Sequence, residues 1–290
     1  MSCGKRYYQV GKDGLLLPVE SPLVLLSENA AQGAVLVDGS MRFNAKTATP
    51  EQKEAWVYKT FQRISRQYDL MNDLESLGLH RAWKHTLVRA VNALEPSTVL
   101  DVACGTGDIA LEIAKTNPQV QVIGLDFSQN MLDIARKRAD SYASSVSVDN
   151  PALSNLDLTH GSALDLPFDD ESFDVVTISF GLRNMPDYRL SLEEMKRVLR
   201  PGGSFFCLEA SYPTAPIVAP VFKVYFRHLM PLMANLVTRK PAEYQWLNDS
   251  TEAFLSKEQL AMLMEQCGLI EVRYRSFAFG AAALHSGIKP

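Results

Sequence analysis

A strand, a glycine turn and a helix follow one another in Val99-Leu-Asp-Val-Ala-Cys-Gly-Thr-Gly-Asp-Ile-Ala-Leu-Glu-Ile-Ala114. The aliphatic residues at its start are typical of a buried strand, and their spacing at its end is typical of a helix. Between them, Gly105 and Gly107 let the backbone turn sharply and let a ligand approach the chain closely. This order predicts the first strand–helix unit of a nucleotide-binding sheet, in which ligands lie at the strand ends. A glycine turn with a purely structural role is the alternative.

The composition is that of a globular protein. The chain has 290 residues, of which 47% are hydrophobic and 21% charged, so one large domain, alone or with an appendage, accounts for its length. Its net charge is −4, whereas a protein that binds nucleic acids usually has an excess of basic residues. The cysteines form no CxxC pair, and no apolar run reaches the roughly 20 residues of a membrane span. We therefore expect a cytoplasmic protein with free thiols, no metal site and no nucleic-acid partner.

The chain divides near residue 48 into an extension and a main domain. Strand-like segments at residues 15–19, 22–26 and 34–37 predict a small, hairpin-rich extension of unknown role over residues 1–48. A Thr-Pro helix start opens the main domain, residues 49–290.

Strands and helices alternate along the main domain. Pro201-Gly-Gly203 is expected to end one of these helices, and two strands, at 270–277 and 279–284, are expected to close the chain. We predict an α/β fold with a mainly parallel, Rossmann-like sheet, helices on both faces and a C-terminal antiparallel strand pair.

An acidic residue ends the second predicted strand, residues 121–126. Asp126 lies about twenty residues beyond the glycines, where a carboxylate can accept both hydroxyls of a ribose. The alternative role is to cap the next helix, which we assign instead to Ser128. The predicted cofactor site also includes Phe127, the neighbour of Asp126.

Two cofactors fit a glycine turn followed by an acid. Gly105, Gly107, Ala110 and Asp126 satisfy the G-x-G-x-x-A fingerprint of nicotinamide enzymes. Against that reading, Asp101 inside the first strand would repel a pyrophosphate, and no second mononucleotide-binding half follows. Asp101 could instead receive the ammonium of an amino acid. S-adenosylmethionine, which carries ribose, adenine, ammonium and carboxylate but no phosphate, meets these residues better.

At these residues the chain resembles the class I methyltransferases that use S-adenosylmethionine. The segments that carry the resemblance are 99–107, 124–131, 162–167, 173–179 and 198–203. More specific segments are similar to the quinone-biosynthesis C-methyltransferases, which act on demethylmenaquinol and polyprenyl benzoquinols. They are Tyr68-Asp-Leu-Met-Asn-Asp73, Gly78-Leu-His-Arg-Ala-Trp-Lys84, Thr177-Ile-Ser-Phe-Gly-Leu-Arg-Asn184 and Ala283-Leu-His-Ser-Gly-Ile-Lys289.

The resemblance covers roughly residues 50–289 and implies carbon methylation of a prenylated quinol. Demethylmenaquinol is the expected substrate, and a polyprenyl benzoquinol of the ubiquinone branch is the alternative. A nicotinamide oxidoreductase and a catalytically silent nucleotide-binding subunit are further alternatives. By the resemblance, the family's cofactor-binding positions correspond to Thr106, Asp126, Ser162, Ala163 and Ser179.

Carbon methylation of a quinol requires loss of a phenolic proton, so that negative charge reaches the ring carbon. Arg183, just after a buried strand, is the candidate for stabilising the phenolate, with a structural salt bridge as its alternative role. Arginine is a poor proton acceptor, so a base or a water relay is also needed. Tyr68 and His80 are the candidates for that base.

The segment at residues 213–240 is apolar nearly all round, with interleaved cations. It either packs inside the fold or borders the pocket of an apolar substrate. A prenylated quinol stays in the bilayer, so we expect this insert to give transient contact with a membrane surface. The expected partners are the quinol, the inner face of a membrane and, as an option, a second copy of the chain.

Overall fold

The computed structural model describes residues 76–145, 153–211 and 253–290, together with four short N-terminal strands. It also describes nine single positions, which are 53, 57, 72, 73, 213, 220, 224, 250 and 251. Within these residues, no helix is long and apolar enough to cross a membrane. Tyr68 and nearly all of the 213–240 insert lie outside them, so the predictions for both stay predictions.

The four N-terminal strands form two antiparallel pairs. β1 (Tyr7–Val10) pairs with β2 (Leu16–Val19), and β3 (Val35–Val37) pairs with β4 (Ser40–Arg42). β2 and β3 fall on two of the three strand-like segments of the extension, and the third, residues 22–26, lies outside the described part. The boundary near residue 48 and the role of the extension stay predictions.

A seven-stranded sheet organises the main domain. Its strands are β5 (Thr98–Val102), β6 (Gln121–Asp126), β7 (Leu156–His160), β8 (Phe173–Ser179), β9 (Leu199–Ala210), β10 (Ile270–Phe277) and β11 (Ala282–Ile288). Their order across the sheet is β10-β11-β9-β8-β5-β6-β7. β5 to β9 are parallel, and β11 runs antiparallel to both β9 and β10. The strand order reverses at β5, which has β6 on one side and β8 on the other, and this is where ligands bind in such sheets.

Helices pack on both faces of this sheet. They are α1 (His80–Asn92), α2 (Asp108–Thr116), α3 (Gln129–Ser145), α4 (Tyr188–Val198) and α5 (Lys257–Gln266). Side chains alternate between the faces along a strand, and two hydrophobic clusters follow this alternation. Leu100 packs with residues of α4 and α5, whereas its neighbour Val99 packs with residues of α1 and α2. The predicted fold class is confirmed.

Two predicted boundaries in the C-terminal half are wrong. The helix α4 ends at Val198, and Pro201-Gly-Gly203 lies inside β9, where Gly202 has φ +77°. The last strand begins at Ala282, because Ala278 (φ +44°) and Phe279 (φ +59°) adopt left-handed backbone that a strand does not accommodate.

Candidate functional site

The glycine turn after β5 has a strongly curved backbone. Ala103, Gly105 and Gly107 have φ of +54°, +58° and +84°, all in the left-handed region that favours glycine. A Cβ on Gly107 would lie 3.0 Å from Leu111 Cδ1 and 3.1 Å from Ala135 Cβ. Gly107 therefore lets α2 and α3 pack closely, and it lines neither of the two clefts described below.

Asp126, at the end of β6, joins the glycine turn to the start of α3. Its Oδ2 accepts a hydrogen bond from Gly105 N at 2.8 Å, and its Oδ1 accepts one from Ser128 N at 2.8 Å. Burial raises the pKa of Asp126 to about 6, although these two N–H groups act in the opposite direction. The predicted side-chain cap by Ser128 is wrong, because its buried hydroxyl makes no hydrogen bond among the described residues and the Asp126 carboxylate binds the helix start instead.

A large cleft lies at the carboxyl ends of β5 to β8. It encloses about 700 Å³, part of it open to solvent, which suits a drug-sized ligand. Five of the predicted cofactor-binding residues line it, which are Gly105, Asp126, Phe127, Ser162 and Ala163. Its opposite side is formed by Val57 and by residues 180–181 and 184–186, which follow β8.

A smaller cleft of about 300 Å³ shares Ala103 and Gly105 with the large one. Asp101, Thr106 and Ser179 line it, as the sequence predicts for a cofactor site. Asp101 is 1% exposed, and its Oδ1 accepts a hydrogen bond from Thr177 Oγ1 at 2.7 Å. The buried Oδ2 of Asp101 and the buried hydroxyl of Ser179 make no hydrogen bond within the described chain. Two polar atoms are thus left for a ligand, since buried polar groups are normally paired.

The electrostatics of the small cleft follow from this burial. Burial raises the pKa of Asp101 to about 7, and the Thr177 hydroxyl, the backbone N–H of Ala110 and the charge of Lys84 act against that rise. Lys84 Nζ donates to Asp108 Oδ2 at 2.6 Å, and Arg138 Nη2 lies 2.7 Å from Asp108 Oδ1. These two cations lower the pKa of Asp108 to about 2 despite its burial. Lys84 also lines the small cleft, where the sequence-based site did not include it.

Arg183 forms the salt bridge that the sequence left open as its alternative role. Its side chain is 1% exposed, and its Nη1 lies 3.2 and 3.1 Å from the two carboxylate oxygens of Glu209. Arg183 lies in the 3₁₀ turn Leu182–Asn184 and does not itself line either cleft. A role in stabilising a phenolate stays a prediction.

His80 begins α1 and is almost fully buried. Its Nε2 lies 3.0 Å from Asp73 Oδ1, and burial lowers the pKa of His80, so the imidazole is neutral at pH 7. His80 lines neither cleft, and it lies one helical turn before Lys84. Its role as a base stays a prediction.

Two further residues beside the large cleft were not among the predicted site residues. Asn184 is 7% exposed and lines the cleft; its Nδ2 donates to Phe180 O at 3.4 Å, and its Oδ1 makes no hydrogen bond within the described chain. Lys53 Nζ donates to Met185 O at 2.6 Å. The position of Asn184 after a buried strand could have marked it, whereas nothing in the local pattern around Lys53 points to a contact so far along the chain.

This fold is that of the S-adenosylmethionine-dependent methyltransferases. The chain superposes on such an enzyme from Thermotoga maritima with a TM-score of 0.53 and 21% identity, covering 80% of this chain and all of that one. A methyltransferase complex with the Trm112 activator from Haloferax volcanii gives a TM-score of 0.54 and 22% identity, covering 81% of this chain and 97% of that one. At these identities the likeness concerns the fold alone.

The family follows from the sequence relatives. The model of the ubiE/COQ5 methyltransferase family matches residues 47–289, and the chain belongs to that family. The demethylmenaquinone methyltransferases of Staphylococcus aureus strains JH9 and Newman are each 42% identical to it over 234 residues. These matches cover 80% of this chain and 92% of the relatives. The chain is therefore an S-adenosylmethionine-dependent methyltransferase, and the predicted family and enzyme class are confirmed.

Proposed function

We propose that this chain methylates a ring carbon of demethylmenaquinol, with S-adenosylmethionine as the methyl donor. The observation that carries the proposal is a pair of buried carboxylates on neighbouring strands beside the glycine turn, Asp101 inside β5 and Asp126 at the end of β6. One has an oxygen that no described group satisfies, and the other borders the large cleft. The donor has an ammonium and a ribose to match them.

The small cleft would hold the amino-acid end of the donor. Asp101 Oδ2 accepts no close hydrogen bond within the described chain, and an ammonium would satisfy it with a charge-assisted hydrogen bond. The Ser179 hydroxyl, also unsatisfied, is a second polar group for the same end. Lys84 lies at this cleft and provides positive charge for the carboxylate.

The large cleft would hold the nucleoside. A carboxylate oxygen has two lone pairs, so both oxygens of Asp126 can accept from ribose hydroxyls while they keep the bonds from Gly105 N and Ser128 N. Ser162 and Ala163, which line the same side, would lie beside the adenine ring. Gly105 lines both clefts, so its lack of a side chain leaves room for the ligand to pass between them.

The quinol would occupy the other side of the large cleft, at Val57, Phe180 and residues 184–186. The identity of the Staphylococcus aureus relatives as demethylmenaquinone methyltransferases supports a demethylmenaquinone-derived substrate. When bound, S-adenosylmethionine supplies the electrophilic methyl group. The chain's own part is to orient the quinol, exclude water and favour its phenolate form, for which the buried Arg183 provides a nearby positive charge. Tyr68 and His80 remain the candidates for accepting the phenolic proton.

The prenyl tail of such a substrate keeps it in a lipid bilayer. Each buried CH₂ of the tail contributes about 0.8 kcal/mol to that partition, so the enzyme must meet its substrate at the membrane surface. We therefore extend the proposal to transient contact with the inner face of a membrane, through the apolar insert at residues 213–240. A homodimer stays a prediction.

The test compares two quinols of equal prenyl length. Purified protein and methyl-labelled S-adenosylmethionine are incubated with reduced demethylmenaquinone or with the corresponding demethylated benzoquinol, and the extracted quinols are examined for label. We expect labelled naphthoquinol at a rate well above that of the benzoquinol. Labelling of the benzoquinol alone would assign the chain to the ubiquinone branch, and labelling of neither would contradict the proposed reaction.

A further inference from the structure

One side of the large cleft is a short segment with little support of its own. We call residues 181–186 the cleft wall. Its local backbone bonds run from Asn184 N to Gly181 O and from Met185 N to Leu182 O, both at 3.0 Å. Bonds between residues three apart are those of a 3₁₀ turn, which has poorer hydrogen-bond geometry than an α-helix. The wall therefore depends on contacts from outside the segment for a fixed position.

Lys53 makes such a contact from a distant part of the chain. Its Nζ donates to Met185 O at 2.6 Å across 132 positions of sequence, and to Tyr188 Oη at 3.2 Å. The ammonium also lies 4.6 Å from the centre of the Tyr188 ring. Tyr188 in turn donates to Arg183 O at 3.5 Å. One lysine and one tyrosine thus hold two carbonyl groups of the wall.

The surroundings of Lys53 make this contact sensitive to its charge. Burial lowers the pKa of Lys53 to about 8, and the carboxylate of Glu209 acts against that change. Among the described residues, Glu209 acts on Lys53 through its charge, and Tyr188 accepts a hydrogen bond from it. Burial raises the pKa of the Tyr188 phenol to about 12, so the phenol stays neutral, and the charges of Glu209 and Arg183 also act on it. A protonated lysine donates a charge-assisted hydrogen bond to Met185 O, which is roughly twice as strong as one from a neutral amine.

The wall presents one polar group to the cleft. Asn184 is nine-tenths buried, lines the cleft, and has an Oδ1 that no described group satisfies. Asn184 is the residue before Met185. A shift of the Met185 carbonyl therefore also moves the Asn184 side-chain amide. A misplacement of about 1 Å in a substrate-positioning group can reduce a rate by about a hundredfold.

We propose that Lys53 is a positioning residue for the methyl acceptor: by holding Met185 O it fixes the cleft wall, and with it the Asn184 amide that receives a ring hydroxyl of the quinol. This inference rests on the proposed function, because it places the quinol at residues 184–186. The described contacts of Lys53 are to Met185 and Tyr188, on the acceptor's side of the cleft, so the affinity for S-adenosylmethionine should be independent of it.

The experiment compares Lys53→Met, which keeps an unbranched side chain only one atom shorter, with Lys53→Arg, which keeps the cation. Lys137→Met, at an exposed lysine of α3, is the matched control. With saturating S-adenosylmethionine, we expect Lys53→Met to lose at least tenfold in kcat/KM for demethylmenaquinol. Lys53→Arg should recover most of that loss, and Lys137→Met should match the wild type. Calorimetry should give dissociation constants for S-adenosylmethionine within twofold of one another in all four proteins.

The pH profile separates positioning from simple stability. In the wild type, kcat/KM relative to Lys53→Arg should fall as the pH rises through about 8, because the lysine loses its proton there and the guanidinium does not. A flat ratio, or a Lys53→Met variant with kcat/KM within twofold of the wild type, would overturn the inference. A parallel loss of S-adenosylmethionine affinity would also overturn it. If Lys53→Met does not fold, the pH dependence of the ratio of kcat/KM between the wild type and Lys53→Arg still tests the inference. A wild type inactive on both quinols contradicts the proposed function instead.

Discussion

Asp101 and Asp126 are two acids that the chain buries within one site. Their strands are adjacent, and the charge of Asp126 contributes to the raised pKa of Asp101. Asp126 has two backbone N–H partners, whereas Asp101 has the Thr177 hydroxyl and an unsatisfied oxygen. Burial of a charged group costs free energy unless it is paired. In the protein without a ligand, the charge of Asp126 is therefore better compensated by hydrogen bonds than that of Asp101.

Asp101 makes stability and donor binding respond oppositely to pH. Its pKa rises from 3.8 in the unfolded chain to about 7 in the fold, so its favourable contribution to folding is present below about pH 4 and is lost as the pH rises through 7. An ammonium ligand requires the carboxylate form, so the affinity for S-adenosylmethionine should increase over the same rise through pH 7. Calorimetry between pH 6 and 8 in buffers of different ionisation enthalpy should show proton release on binding.

Asp101→Asn should make the protein more stable at high pH and should weaken its binding of S-adenosylmethionine. It removes a buried charge and keeps an acceptor for Thr177, so at pH 8 the free energy of unfolding should rise by up to about 4 kcal/mol, at roughly 1.4 kcal/mol for each pKa unit. The affinity for S-adenosylmethionine should fall by about 1–3 kcal/mol. The exposed Asp140→Asn on α3 is the control and should change neither quantity. Unchanged donor affinity in Asp101→Asn would exclude the ammonium contact.

Asp126→Ala should impair both the donor site and the fold. The substitution leaves the N–H groups of Gly105 and Ser128 without their acceptor, and a buried unsatisfied group costs about 1–3 kcal/mol. Chemical denaturation should therefore show a loss of stability of that order, accompanied by weaker binding of S-adenosylmethionine. A variant as stable as the wild type would show that removal of the buried charge offsets the loss of these two bonds, and would contradict a net stabilising role for Asp126.

The glycine turn and the helix after it act as one element. Gly107 precedes α2 with a left-handed backbone, and its missing side chain leaves the space that Leu111 and Ala135 need. The turn thereby holds α2 against α3 while Gly105 stays open to both clefts. Gly107 thus serves the packing of the helices, and Gly105 serves access of the ligand.

A pair of glycine substitutions tests this division. Gly107→Ala should destabilise the protein by about 1–3 kcal/mol, from left-handed strain together with the contacts at 3.0 and 3.1 Å. Gly202→Ala is the matched control, because Gly202 has a similar φ of +77° but nothing within 4 Å of an added Cβ. It should show only the strain of about 1 kcal/mol. Equal losses in thermal or chemical denaturation would mean that the contacts at Gly107 do not matter.

The strand ends were predictable from sequence because their signals are local. A buried aliphatic run followed by glycine or an acid marks Gly105 and Asp126 without knowledge of the fold, and Asp101 is an acid within such a run. The contact of Lys53 with Met185 was not predictable, because 132 residues separate the partners and the surrounding helix pattern is ordinary. The error at Ser128 has a different origin. The Asp126 carboxylate and the Ser128 hydroxyl can both accept a hydrogen bond at the start of α3, and the sequence alone does not show which of them does.

In the proposed function, the whole enzyme must bring a polar donor together with a lipid acceptor. The groups proposed to bind the donor lie at the carboxyl edge of a covered sheet, while the acceptor would arrive from a bilayer. In the proposed function, the apolar insert at residues 213–240 connects the two environments. A comparison of KM between long-chain and short-chain quinols then distinguishes membrane contact by the insert from ordinary packing.

Paired substitutions in the insert test that role. Phe222→Ser with Phe226→Ser should raise KM for a long-chain quinol about tenfold, from the loss of apolar contact with the tail. The KM for a short-chain analogue and the affinity for S-adenosylmethionine should change little. If both quinols are affected equally and the protein melts earlier, the insert is ordinary core and the membrane role is excluded.

The contacts proposed for the donor have a regulatory consequence. Asp101, Ser179 and Asp126 would bind the ammonium and the ribose, and S-adenosylhomocysteine, the demethylated product, keeps both groups. The spent donor should therefore compete for the site with an inhibition constant within about tenfold of the donor's own dissociation constant, since a tenfold difference is only about 1.4 kcal/mol. The rate of quinol methylation would then follow the ratio of fresh to spent donor in the cell. Respiratory quinone composition would in this way report on the methylation state of metabolism as a whole.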